Sequence, residues 1–82
     1  MKMMITIHFD PQDFEATSAL IPKEQEHVRA LMTQGRIEAI YISADRATVW
    51  LVMKGESREE IQQELGAFPL YPYMKLQFVS LL

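Results

Sequence analysis

Apolar and polar positions alternate from the start of the chain. Met3, Ile5, Ile7 and Phe9 fall on one side, and Met4, Thr6 and His8 on the other, which is the period of a strand. The same alternation returns at the end, over Met74-Lys75-Leu76-Gln77-Phe78-Val79-Ser80-Leu81. Two more strands are predicted in the middle, over residues 36–44 and 47–53, joined as a hairpin at Asp45-Arg46, although that turn lacks the usual glycine. Between strands the period lengthens. Asp10-Pro11 supplies a helix cap and a proline at the first helical position. Pro22 is expected to kink or restart the helix, so that the main segment runs from about Pro22 to Gln34 with Gly35 just past its end. Ser57-x-x-Glu60 is a capping box for a second helix, whose stripe is Ile61, Leu65 and Phe68. The stretch Phe68-Pro69-Leu70-Tyr71-Pro72-Tyr73-Met74 must end that helix and is predicted to run extended. It reads as an aromatic tether over the end of the core, with Tyr71 and Tyr73 placed to line the mouth of a ligand pocket.

The order β-α-β-β-α-β defines an α+β class: a four-stranded antiparallel sheet with both helices on one side, the ferredoxin-like arrangement. Two helices cover only one face. The third strand is apolar on both sides, with Val49, Leu51 and Met53 against Thr48, Trp50 and Val52. A strand of that kind needs cover on its second face. The chain has no residues to spare for it, so a homodimer packed sheet against sheet is expected.

Composition narrows the picture. Eighty-two residues make one domain, 1–82, with a core that is marginal alone. There is no cysteine, so neither a disulfide nor a thiolate metal site is available. The formal net charge is −3 and the basic residues form no run, which argues against a nucleic-acid partner. The apolar N-terminal stretch is too short for a signal peptide or membrane span. A cytoplasmic protein with no membrane partner is the default.

The helix closing at Gly35, the hairpin after it, Ser57 with its helix, and above all Phe68-Pro-Leu-Tyr-Pro-Tyr-Met74 resemble the muconolactone isomerase family over roughly residues 20–82. The resemblance implies a dimeric α/β barrel, in which two ferredoxin-like sheets close on each other, and assembly as far as a ring of dimers. Its superfamily also includes small monooxygenases, cyclases and YCII-like proteins.

On a helical projection Glu24 falls inside the arc of Leu20, Ile21, Val28, Leu31 and Met32, whereas Glu26 points away. A carboxylate on a core-facing stripe has a raised pKa, as a general base working near neutrality needs; the family resemblance also implies an acid here. Alternatively, Glu24 reaches the rim and pairs with Arg46 or a tyrosine hydroxyl. His8 is the second candidate, a proton shuttle or a hydrogen-bonded seam residue, and His27 reads as solvated. Tyr41, Trp50, Arg46, Tyr71 and Tyr73 are the candidate substrate-pocket residues. No pair of histidines has metal-ligand spacing, so neither metal nor cofactor is expected. Two functional classes stand: a cofactor-free isomerase moving a proton on a small lactone or carbonyl compound, or a non-catalytic dimeric barrel that binds a small apolar or aromatic molecule or serves assembly. A cofactor-independent monooxygenase is the third.

Overall fold

The computed structural model describes residues 1–82. Its elements are β1 (Lys2–His8), a 3-10 turn (Pro11–Asp13), α1 (Phe14–Thr33), β2 (Ile37–Ile42), β3 (Thr48–Lys54), α2 (Arg58–Gly66), a 3-10 turn (Tyr71–Tyr73) and β4 (Lys75–Leu81). The strands form one antiparallel sheet in the order β2-β3-β1-β4, the ferredoxin-like topology expected from the element order.

Register fixes which side chains share a face. Thr6 lies opposite Trp50 on one side and Gln77 on the other, and Trp50 lies opposite Tyr41. These residues therefore share the face turned away from the helices, because successive strand side chains alternate. The helix-side set is Met3, Ile5 and Ile7 of β1, Leu51 and Met53 of β3, and Ile37 of β2. It packs with Leu31 of α1 and with Ile61, Leu65 and Phe68, the stripe of α2 and the residue that follows it. Only 12 of the 82 residues are buried, so the interior consists of this one layer between helices and sheet.

The helix ends follow the sequence signals. The Ser57 hydroxyl accepts from the Glu60 backbone N–H at 3.1 Å. The Glu60 side chain does not complete the box; it pairs with Arg36, which also pairs with Glu64 and so ties the start of β2 to α2. At the end of α1, Gly35 has φ +78. Its N–H donates to the Met32 carbonyl at 3.0 Å and the Arg36 N–H to the Leu31 carbonyl at 2.9 Å, the paired closure that a left-handed residue permits.

Two local expectations are corrected. Helix α1 passes through Pro22 without restarting. A helix-interior proline loses one backbone bond and crowds the preceding turn, but Pro22 is on the exposed side, where water can reach the carbonyl left without a partner. The proline-rich link, expected to be extended, instead coils. Tyr71 N–H donates to Phe68 O at 2.9 Å, Tyr73 N–H to Leu70 O at 2.9 Å and Met74 N–H to Tyr71 O at 3.1 Å. Proline fixes φ near −65°, which suits a 3-10 turn as well as an extended chain. Burial of Phe68 and Leu70 selects the turn.

Gly55, between β3 and α2, is needed for space. A Cβ there would sit 2.8 Å from Ile61 Cγ1, and Ile61 is fully buried. Gly55→Ala is expected to destabilise the fold by about 1–3 kcal/mol, measured as a lowered denaturation midpoint; an unchanged midpoint contradicts this close approach.

Candidate functional site

Between helix α1, strands β1–β3 and the Phe68–Leu70 segment lies a cleft of about 930 Å³. Its helical wall is Phe14, Thr17, Ile21, Glu24, Val28 and Met32, a single stripe at spacings of three and four. Its sheet wall includes Ile7, Ile40, Val49 and Leu51, and Phe9 and Phe68 contribute aromatic rings. A small flat molecule with apolar faces fits such a lining. The other recess, of about 660 Å³ around Gln34, Arg36, Lys54 and Glu64, has no apolar lining residue, and Arg36 there is already paired with acids.

Glu24 brings a carboxylate into the apolar cleft. It is half-buried, and its Oε1 accepts a hydrogen bond from the Leu70 backbone N–H at 3.2 Å. Burial raises its pKa above the ordinary carboxylate value, and the Leu70 bond offsets part of that rise. The remaining oxygen, Oε2, has no partner within the chain. Glu24 is thus an acid in surroundings that favour proton uptake, with one oxygen held and one available.

The other charges at the cleft are Arg29 on α1 and Asp45 and Arg46 on the hairpin. The hairpin turn is built by side chains instead of glycine. Ser43 Oγ donates to Asp45 Oδ1 at 2.6 Å, the Ala47 N–H donates to the same oxygen at 2.9 Å, and the Thr48 N–H donates to Ser43 Oγ at 3.0 Å. The Ser43 hydroxyl and then the Ala47 N–H hold the Asp45 carboxyl below its usual range. Arg46 takes up the remaining twist with φ 64, a left-handed conformation that costs a non-glycine residue on the order of 1 kcal/mol. Arg46→Gly is expected to stabilise the fold by about 1 kcal/mol while weakening the binding of carboxylate-bearing ligands. Thermal unfolding and ligand titration check the two halves, and a destabilised variant contradicts the first.

Of the residues singled out in the sequence, Glu24 and Arg46 meet at this cleft, and His8, Tyr41, Trp50, Tyr71 and Tyr73 do not line it. His8, Tyr41 and Trp50 belong to strand positions on the opposite face, so the sheet separates them from Glu24. On that face His8 Nδ1 lies 3.2 Å from Thr48 Oγ1. Tyr71 and Tyr73 belong to the 3-10 turn beyond Leu70. His27, expected in solvent, lies edge-on to Phe68 at 4.8 Å between ring centroids, and its Nε2 is buried without a partner. The sequence reading missed Phe14, Thr17 and Arg29. The signal for Phe14 and Thr17 was the α1 stripe itself, which continues unbroken on the N-terminal side of Pro22.

The fold and cleft define a ferredoxin-like α+β protein with a ligand-sized recess between its first helix and its sheet. The sequence matches the muconolactone delta-isomerase family over residues 1–82, and the chain belongs to that family. The match extends through β1 and the start of α1, beyond the region of resemblance apparent by eye. Among solved structures, 5-chloro-2-hydroxyhydroquinone dehydrochlorinase (TftG) from Burkholderia phenoliruptrix AC1100, in complex with 2,5-dihydroxybenzoquinone, superposes with a TM-score of 0.85. The two are 13% identical, and the similarity covers 100% of this chain and 94% of that one. The likeness therefore shows shared architecture. No curated protein matches the sequence. No helix is long and apolar enough to cross a membrane, and no group of three or more histidine or acidic side chains is placed to hold a metal ion.

Proposed function

We propose that the protein is a proton-transfer isomerase acting on a small unsaturated lactone or related carbonyl compound, with Glu24 as the single group that takes up and returns the proton. The observation that carries this reading is a half-buried carboxylate of raised pKa, aimed into an apolar cleft of about 930 Å³. Family membership supports the reaction class. TftG, of similar fold, was solved with a small oxygenated ring, which is the kind of ligand the aromatic and aliphatic lining suits.

The chemistry follows from the groups present. Ionised Glu24 removes a proton from the carbon beside the substrate carbonyl. The C–H electron pair enters the conjugated system as a dienolate, and Glu24 is left protonated. It then returns the proton to the far carbon of that system, and the double bond has moved. No atom is gained or lost. A base of raised pKa is matched to both halves, since it must accept and donate near neutral pH. Arg46 and Arg29 at the rim are placed for a carboxylate substituent, where the planar guanidinium can make paired hydrogen bonds.

We further propose that two copies pair through the helix-free sheet face, giving the dimeric barrel; a ring of dimers is the larger assembly this allows. Tyr41 is 64% exposed and Val79 56% exposed on that face, and Trp50 lies between their strands.

The test is turnover. Candidate lactones are incubated with the protein in D₂O, and both isomerisation and deuterium uptake at the far carbon that receives the proton are followed by NMR. Uptake at one carbon with migration of the double bond is the expected result. Saturable binding with no exchange would instead make the protein a non-catalytic ligand-binding barrel.

A further inference from the structure

Resting on that assignment of Glu24, we propose that the backbone N–H of Leu70 is the positioning group of the site: it pins one carboxylate oxygen and so reserves the other for proton transfer. The Leu70 N–H donates to Glu24 Oε1 across 46 residues of sequence, and it is the partner the structure gives that carboxylate. A backbone amide donates but does not titrate, so Oε1 is kept as the acceptor and the mobile proton belongs on Oε2. A side-chain donor in its place would bring rotamers and a titration of its own. The amide brings neither.

The donor is useful only if it is fixed, and the link around it is built to be stiff. Phe68 and Leu70 are both buried, with Phe68 edge-on to the His27 ring. Pro69 and Pro72 each lock one φ. The bonds from Tyr71 N–H to Phe68 O and from Tyr73 N–H to Leu70 O close the turn on either side of the donor. The link serves as a clamp on the base of the cleft.

Charged groups do not supply the same control. Those sharing the cleft are Arg29 on α1 and Asp45 and Arg46 on the hairpin; along the helix Lys23 and Glu26 are near in sequence, and His27, three residues on and so on the same side as Glu24, packs against Phe68. None of these forms an ion pair with Glu24. The strands and the link present no ionisable side chain to the cleft.

The test removes one atom group. Chemical ligation of an 82-residue chain allows the Pro69–Leu70 amide to be replaced by an ester, which deletes the N–H and keeps every side chain. A second ester, at Tyr73, loosens the same turn without touching Glu24. The Glu24 pKa is read in the free protein by carboxyl ¹³C NMR, with circular dichroism to show that both esters fold. The ester at Leu70 is expected to raise the Glu24 pKa by about one unit, the ester at Tyr73 to leave it in place, and the acid limb of the pH–rate profile to move with the pKa. An unmoved pKa in the Leu70 ester, or an equal rise in both esters, overturns the proposal. Leu70→Pro, made by ordinary expression, deletes the same N–H; if neither ester folds, an unmoved pKa in this variant overturns the proposal in the same way. Because the pKa is read without substrate, the clamp is judged separately from turnover: an active Glu24→Gln with a shifted Leu70 ester would remove the catalytic reading and leave the clamp standing.

Discussion

Glu24→Gln is expected to abolish most of the proposed proton transfer, lowering turnover of an unsaturated lactone on the order of a thousandfold, while the protein binds the compound about as well as before. Glutamine keeps the size of the side chain and still offers a carbonyl oxygen to the Leu70 N–H, so the geometry that holds Oε1 survives. What is lost is the capacity to take up a proton. Single-turnover NMR in D₂O measures this directly, and unchanged exchange in the variant removes Glu24 from the mechanism.

The same substitution makes a stability prediction of opposite sign. Burial raises the folded-state pKa of Glu24 above its unfolded value. Between those two values the folded protein binds more protons than the unfolded one, so stability falls as pH rises through the window and stays lower above it. The carboxylate therefore strains the fold at neutral pH, and an uncharged glutamine relieves that strain. The wild type gains stability on mild acidification from neutrality, whereas Glu24→Gln shows less of this dependence and is the more stable of the two at pH 7. Thermal melts across pH 4–8 test it; parallel curves for the two proteins would contradict the linkage. An activity lost and a stability gained by one substitution is the pattern expected of a residue kept for chemistry.

Much of this frame was legible in the sequence because it rests on periodicity. Alternation through most of β1 and β4 assigns faces to their residues, and the capping serine of α2 and the glycine closing α1 act through local hydrogen bonds that a sequence can display. The site was less legible, for three reasons rooted in particular residues. Pro22 has a strong local preference against a helix interior, and tertiary packing overrode it, which hid the half of the cleft wall contributed by Phe14 and Thr17. The proline link obeyed its φ constraint, but ψ was set by burial of Phe68 and Leu70, which no local rule specifies. His8, Tyr41 and Trp50 have suitable chemistry, but the side of the sheet on which a residue falls matters as much as its type. Glu24 was visible as a polar residue on an apolar stripe. Its partner was not, because a backbone N–H carries no sequence signature.

Trp50→Glu is expected to separate the proposed dimer into monomers that remain folded. Trp50 sits on a central strand of the helix-free face, level with Tyr41 and Thr6 in the ladder, and it belongs to none of the helix-side core. Trp50 is 37% exposed in the single chain, and a strand position open to water accepts glutamate. In a two-fold interface, though, one substitution appears twice, and each copy places a charge against an apolar surface. Burying an unpaired carboxylate costs several kcal/mol, enough to move the dimer dissociation constant by a hundredfold or more, since about 1.4 kcal/mol is tenfold. Light scattering over a concentration series is expected to show wild-type dimers, or multiples of dimers, and Trp50→Glu monomers with an unchanged circular dichroism spectrum. A wild type that stays monomeric at every concentration, or a variant that associates as tightly as the wild type, would mean that this sheet face is not the seam between subunits. Glu24 is on the helix side of the sheet, across from that face, so Trp50→Glu should keep its Glu24 pKa even as it loses its partner.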